Sequence, residues 1–282
     1  MNFIKIKSKA KINLSLNIIG KFKSKFHKVE SIITFIDLGD TIYLRPTKQK
    51  NHKIHFFGKF SKGIRKKNTV SKLLKILDKK KLLKGKKFEI KILKNIPQKS
   101  GMGGGSMNAS NLINFFLKKK IFKLSQKNLI NLAKLIGADV ILGINQKNSI
   151  LLPNGKIIKS KKIFNFYVLI VKPNFGCSTK LIYSKVNTFS KSKYQIIKNK
   201  IFNKKEIIIS KNDLEEVAFK TYPKLRKLKL FLSGLPNVIF VRMTGSGSSI
   251  CAYFQSKKAA DIATREFKKK FNNYWCNTSK TI

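Results

Sequence analysis

The run Gly101-Met-Gly-Gly-Gly-Ser106-Met-Asn108 constrains this chain more than any other segment, because four of its 16 glycines fall within five residues. Glycine admits positive φ and lets backbone N–H groups approach an anion closely. Before the run, Phe88, Ile90 and Ile92 alternate with polar residues, the period of a strand, and Asn95-Ile96-Pro97 ends it. After it, Ala109, Leu112, Ile113, Phe116 and Leu117 recur at helical spacing. A glycine loop between strand and helix points the free N–H groups and partial positive charge of the helix N-terminus at its contents. That is a phosphate cradle; the plainer reading is a flexible loop. The segment is neither a Walker A loop, which needs G-x-x-x-x-G-K-[ST], nor a dinucleotide fingerprint, whose third glycine is Ser106 here. The Ser106 hydroxyl can serve a phosphate oxygen or a metal, whereas Met107 cannot.

The rest of the chain reads as alternating strands and helices. From Ile4 to Ile18 the even positions are mostly apolar and the odd ones polar, a half-buried strand with Lys11 and Asn13 on its polar face. Val29–Asp37 and Thr41–Arg45 read as strands around a turn at Gly39-Asp40. Thr69–Lys80 reads as a helix with Val70, Leu73, Leu74 and Leu77 on one side. Ser125 caps another helix, Gly137 ends it, and Asp139 follows. Pro153–Ser160 is a weak boundary. Beyond it Tyr167–Val171 is a strand, and Asn212 precedes a helix whose first turn carries Asp213, Glu215 and Glu216, suited to the helix dipole. Pro223 opens a further helix. Ile239–Met243 and Ile250–Phe254 are strands around Thr244-Gly-Ser-Gly247, and Ala259–Phe271 is a final helix. The sum is an α+β fold in two lobes, and 282 residues suffice for one large or two medium domains.

Charge is the anomaly: 62 Lys+Arg against 12 Asp+Glu gives +50. A nucleic-acid protein concentrates such charge in a patch, but here lysine is spread along the whole chain, amid abundant Ile, Asn and Phe. Composition bias explains this better than a nucleic-acid function, although weak, salt-sensitive polyanion binding can accompany it. In so basic a chain, an acid at an uncharged, glycine-flanked site, such as Asp139, invites a question. Three scattered cysteines (Cys177, Cys251, Cys276) suit reduced thiols rather than a disulfide scaffold or a metal site. Three histidines argue against a metal centre; His52 and His55 read as surface residues. Lysines at 5, 7, 9 and 11 occupy the place of a signal peptide's apolar region. Uncharged stretches fall short of the roughly 18 residues of a membrane span. The expectation is a cytoplasmic protein with no membrane partner.

Several segments together resemble the 4-diphosphocytidyl-2-C-methyl-D-erythritol kinase family of the GHMP kinase superfamily. They are Ala10-Lys-Ile-Asn-Leu14, Phe26-His27, Asp37-Leu-Gly-Asp40, Ile96-Pro97 through Asn108-Ala109, Gly137-Ala-Asp139-Val140, Asn212-Asp-Leu-Glu215 and Met243-Thr-Gly-Ser-Gly247, in order from about Lys9 to Phe254. The resemblance implies a ribosomal-protein-S5-like N-terminal domain (1–155) with the ATP loop and catalytic base, and a ferredoxin-like C-terminal domain (156–282). It implies ATP, carried with Mg²⁺, as phosphoryl donor, and the 2-hydroxyl of a cytidine diphosphate-linked methylerythritol as acceptor, in isoprenoid precursor synthesis. Asp139 would accept the hydroxyl proton with Lys11 as its partner. The ATP residues would be Pro97, Gln98, Lys99, Ser100, Gly101, Met102, Gly103, Gly104, Gly105, Ser106, Met107 and Asn108. The substrate residues would be Asn13, Phe26, His27, Tyr183, Thr244, Gly245 and Ser246. The pattern departs from the family at Ser24-Lys25, where Asp-Gly is usual, at Met107, where a second Ser is usual, and at Ile141, where Pro is usual.

Phosphoryl transfer needs positioning, charge stabilisation and an accepted proton, and a base needs stacking faces and polar readout. From spacing alone, Asp139 is a turn or helix-capping acid, Lys11 an exposed strand lysine, and Phe26 and Tyr183 core residues. Only the family pattern turns them towards a site. Two other readings stand beside it. One is a homoserine- or mevalonate-type GHMP kinase, which Ala10-Lys-Ile-Asn and the Gly-Gly-Gly-Ser-x-Asn loop disfavour. The other is a basic RNA-binding protein with an S5-like fold, which predicts basic residues gathered on one face.

Overall fold

The computed structural model describes residues 2–24, 26–144, 146–160, 164–194 and 203–282. Lys25 of the Ser24-Lys25 departure lies outside them, as do residues 195–202. The first elements are β1 (Ile4–Asn13), β2 (Asn17–Lys21), β3 (His27–Thr47), β4 (Lys53–Phe57), α1 (Thr69–Lys79) and β5 (Lys87–Leu93). Next come α2 (Gly104–Lys118), α3 (Gln126–Ile136), a 3₁₀ turn (Val140–Ile144), β6 (Ser149–Leu151), β7 (Ile157–Lys159) and β8 (Tyr167–Lys172). Last are α4 (Thr179–Ser184), α5 (Lys204–Ile209), α6 (Leu214–Thr221), α7 (Pro223–Ser233), β9 (Phe240–Met243), β10 (Ile250–Phe254), α8 (Lys257–Lys270) and β11 (Trp275–Lys280). Strands and helices are mixed as the α+β reading requires. No described helix is long and apolar enough to cross a membrane.

The chain divides into two compact units. The first holds 1–11, 38–98 and 103–146, and the second 12–37, 99–102 and 147–282. In the first, β5 pairs antiparallel with residues 41–47 of β3 and parallel with β4. Its core joins the apolar stripes read from periodicity: Leu73, Leu74 and Leu77 of α1, Phe88, Ile90 and Ile92 of β5, Leu112, Ile113 and Phe116 of α2, and Leu132, Ala133 and Ile136 of α3. Asn68 caps α1 reciprocally with Ser71. Ser125 accepts from the Asn128 amide to cap α3, and Gly137 closes that helix.

In the second unit the antiparallel sheet β11-β8-β10-β9 carries α7 and α8, with Leu225, Leu228, Leu232, Ala260, Ala263 and Phe267 buried against Leu169, Val171, Ala252 and Phe254. Residues 27–33 of β3 pair with β2 and β6. The Pro153–Ser160 stretch supplies the turn and second strand of the hairpin β6–β7, turning through Asn154-Gly155, where Gly155 has φ 82°.

Two local expectations fail for identifiable reasons. Gly39-Asp40 is no turn, since β3 runs straight through it. A Cβ on Gly39 would stand 2.5 Å from the Ser8 carbonyl oxygen, so this glycine permits close strand approach. His52 is not a surface residue: Nδ1 accepts the Phe88 amide at 3.0 Å and Nε2 faces Asp78 Oδ2 at 3.3 Å. The acids stand at the start of α6 as expected, and Asp213 and Glu215 are also committed to tertiary bonds. Asp213 Oδ2 accepts from the Ile18 amide at 2.7 Å, and Glu215 accepts from the Met243 amide at 2.7 Å while pairing with Lys229.

Candidate active site

The polar face of β1 changes character along its length. Lys5 and Lys7 are exposed, but Lys11 and Asn13 are buried. Lys11, expected on spacing alone to be exposed, is 4% exposed, and its Nζ lies 3.4 Å from Oδ2 of Asp139, which is 41% exposed. A buried ammonium thus stands behind a carboxylate that solvent can reach. Asp139 is placed by its neighbours: Gly137 ends α3, and the 3₁₀ turn after it begins at Val140.

Within the same unit the glycine loop gives way to α2. Gly103 is the N-cap residue, in the left-handed region with φ 69°, and no side chain caps the helix. The first amides of α2 therefore keep their donor capacity and partial positive charge for an anion. A Cβ on Gly103 would lie 3.1 Å from Lys11 Cε and 3.6 Å from Asp139 Oδ2, so only glycine leaves that ion pair undisturbed. Ser106 is half-buried, with its Oγ 3.8 Å from where a Cβ on Gly137 would stand. Met107, buried, points inward: its Sδ would lie 3.0 Å from a Cβ on Gly143, and it fills apolar space where the related pattern has serine. Asn108 is sealed at 1% exposure and donates Nδ2 to Asp40 Oδ2 at 2.9 Å. Pro97 is buried, and Gln98 donates Nε2 to the carbonyls of Phe60 and Lys62.

The second unit holds the remaining residues. Lys99 is exposed, with φ 51°, and Ser100 and Met102 are buried. Gly101, at φ 75°, packs its α-carbon against the carbonyl of Thr244, where no Cβ fits. Asn13 is a brace. Its amide donates to Thr244 Oγ1 at 3.1 Å, its Nδ2 to Ser31 Oγ at 2.8 Å, and its Oδ1 accepts the Gly245 amide at 3.0 Å. Asn212 holds the same loop from the carbonyls of Met243 and Gly245. Ser246 Oγ meets Thr179 Oγ1 at 2.9 Å. Elsewhere in this unit Phe26 is 75% exposed, not a core residue, while the His27 and Tyr183 rings lie 5.2 Å apart. Burial, and secondly the Lys21 charge, hold the His27 pKa below its ordinary value, so the ring is neutral near pH 7. Its Nε2 is buried without a hydrogen-bond partner among the described residues.

The sequence reading missed the roles of Ser31 and of the buried Asp40–Lys94 pair. Ser31 carries no sequence signal. Asp40 does carry one, the same that singled out Asp139: a rare acid beside glycine. Among the described residues, no group of three His, Cys, Asp or Glu is arranged to hold a metal.

Residues 68–148 match the family described as GHMP kinases N terminal domain, and residues 199–273 the one described as GHMP kinases C terminal. The chain is 58% identical over 282 residues, 100% of both chains, to the 4-diphosphocytidyl-2-C-methyl-D-erythritol kinase of Pelagibacter ubique (strain HTCC1062). It is 29% identical to the protein of that name in Anaplasma phagocytophilum (strain HZ), across 98% of this chain and 94% of the relative. Among solved structures it shares the fold of a 4-(cytidine 5'-diphospho)-2C-methyl-D-erythritol kinase, with TM-score 0.79 and 21% identity over 98% and 99% of the two chains. A homoserine kinase from Cytophaga hutchinsonii follows with TM-score 0.71 and 20% identity over 100% and 95%.

Proposed function

This chain belongs to the GHMP kinases, in their 4-diphosphocytidyl-2-C-methyl-D-erythritol kinase family, and from that premise we propose that it transfers the γ-phosphoryl group of ATP to the 2-hydroxyl of 4-(cytidine 5'-diphospho)-2-C-methyl-D-erythritol. The observation that carries the chemistry is the ion pair of Lys11 and Asp139, 3.4 Å apart, beside the positive-φ Gly103 that opens α2.

In this reading the uncapped amides at the start of α2 hold the phosphate oxygens. The Asp139 carboxylate takes the proton of the 2-hydroxyl as that oxygen bonds to phosphorus, and the β–γ bridging oxygen leaves with ADP. Lys11 keeps Asp139 ionised and steadies the charge on the transferring group. Mg²⁺ chelated by the phosphates supplies further charge neutralisation when bound. Among the described residues no cluster of three His, Cys, Asp or Glu stands ready for a metal, and the Ser106 hydroxyl lies in the first turn of α2, so the residues fit an ion that arrives on the nucleotide. The exposed Phe26 ring, the Tyr183 ring and the neutral His27 with its free Nε2 suit stacking on and polar readout of the cytosine. Asn13 shapes the Thr244–Ser246 loop rather than offering a free amide.

The assignment of 1–155 to the ATP loop and base, and of 156–282 to a ferredoxin-like domain, is supported by the two family matches falling on either side of residue 155. The spatial units, by contrast, interleave along the chain. A cytoplasmic location belongs to the same proposal and suits the free thiols Cys177, Cys251 and Cys276. The deciding experiment is a phosphotransfer assay with purified protein, ATP and Mg²⁺, offering the cytidine-linked alcohol, homoserine and mevalonate in parallel. The expected result is turnover of the first alone; faster turnover of either other alcohol would replace this reading with another of the superfamily.

A further inference from the structure

In a chain with 12 acids, Asp40 is buried completely, at 0% exposure, in the first unit. Its carboxylate receives a full set of donors. Oδ1 accepts the backbone amides of Asn95 and Ile96, each at 2.9 Å. Oδ2 accepts Nδ2 of Asn108 at 2.9 Å and the ammonium of Lys94, itself buried. Asn95 adds a bond from its own Nδ2 to the Gly39 carbonyl at 3.0 Å. These donors come from the two stems of the glycine loop, since Lys94–Ile96 lead into it and Asn108 lies just past the first turn of α2.

We propose that Asp40 is a positioning residue for nucleotide binding: by holding both stems on one carboxylate it sets the direction in which the first amides of α2 meet the triphosphate. The proposal rests on the reading of that loop as the ATP cradle. Three physical points support it. A loop rich in glycine has no stiffness of its own, so its geometry has to come from its ends. Hydrogen bonds to a buried charge are strong, and losing the charge weakens them all and leaves some of the donors around it unsatisfied. Lys94 Nζ also lies 3.4 Å from where a Cβ on Gly104 would stand, placing an ammonium beside the positive end of α2. Asp40 offsets the repulsion between that ammonium and the helix end, so both positive groups keep their places beside the cradle. An amide array fixed in advance binds its ligand with less reorganisation.

The test uses the full-length protein and two variants, Asp40→Asn and Asn108→Ala. Asn108 is sealed from solvent, so truncating it acts on ATP only through Asp40 and the helix it steadies. Calorimetry with ATP, initial rates against each substrate, and hydrogen exchange of the 103–106 amides are the readouts. Expected are a tenfold or larger rise in ATP Kd and KM for Asp40→Asn and a threefold or larger rise for Asn108→Ala. KM for the alcohol should stay within twofold, and the 103–106 amides should exchange faster. Should Asp40→Asn fail to fold, Asn108→Ala, which keeps the Asp40–Lys94 pair, decides. ATP affinity within twofold of wild type in Asn108→Ala, or an equal loss for both substrates, overturns the positioning role. A wild-type protein that binds no ATP overturns the cradle reading itself, a separate and distinguishable failure.

Discussion

Lys11 is one of 62 basic residues, and its position rather than its charge sets it apart. Charge on the surface acts through water and is screened over roughly 8–10 Å at physiological ionic strength. A lysine 4% exposed beside Asp139 acts at a lower effective dielectric, where its field is stronger. Lys11→Met should therefore lower kcat by about 100-fold or more, at every salt concentration tried. Lys5→Met and Lys7→Met, at exposed positions of the same strand, should leave it nearly unchanged. Equal losses in all three would make Lys11 an ordinary lysine. Asp139→Asn removes proton acceptance and leaves the amides of α2 in place, so turnover should drop by about 10²–10⁴ while the ATP Kd, read by calorimetry, moves little. Activity within tenfold of wild type would end its role as base. His27 makes a pH prediction. Its folded pKa lies below the unfolded value of about 6.5, so the unfolded chain binds the proton first as pH falls. The stability at stake is whole above about pH 6.5 and declines as pH drops from there through the folded pKa. Urea unfolding of wild type and His27→Asn at pH 7.5, 6.5 and 5.5 should show a shallower decline in the variant; His52, also lowered chiefly by burial, keeps its own share of the slope in both.

At the scale of the element, the glycine loop combines two requirements in adjacent residues. Gly101 and Gly103 need positive φ, and Gly101 also needs the missing Cβ to reach Thr244. Gly104 differs: it is helical, and a Cβ there would meet Ile96 Cγ2 at 3.2 Å and Lys94 Nζ at 3.4 Å. Valine adds branched bulk at the mouth of the cradle. Gly104→Val should raise the ATP KM tenfold or more while the KM for the alcohol changes less than threefold, as initial rates against each substrate would reveal. Losses of equal size for both would instead report a folding defect.

For the whole molecule the dominant quantity is +50. Self-repulsion of that size opposes the compact state, and salt relieves it. The Tm by calorimetry should rise between about 10 mM and 150 mM NaCl, as the screening length shrinks from roughly 30 Å to 8 Å; a flat or falling Tm would mean the lysines are already compensated. Lysines lie on β1, α1, β5, α7 and α8, in both the N-terminal and the C-terminal half of the chain.

The sequence by itself determined the elements whose information is local. The stripes of α1, α2 and α3, the alternation of β5, the Ser125 cap and the stop at Gly137 each depend on residues within a turn or two, and all appear where periodicity placed them. Only tertiary structure decided the burial of polar groups. Whether Lys11 and Asn13 face water depends on partners far along the chain; Asn13 binds Thr244 across 231 residues. Gly39-Asp40 carries turn chemistry locally, yet the strand continues, and Lys94, Asn95, Ile96 and Asn108 together satisfy the Asp40 carboxylate. β11, with the polar run Asn277-Thr-Ser-Lys280, is a strand because β8 supplies its ladder. Local pattern reports which face of an element is apolar; it carries no information about a polar group whose partner arrives from elsewhere, because desolvating that group becomes favourable only once the partner is in place.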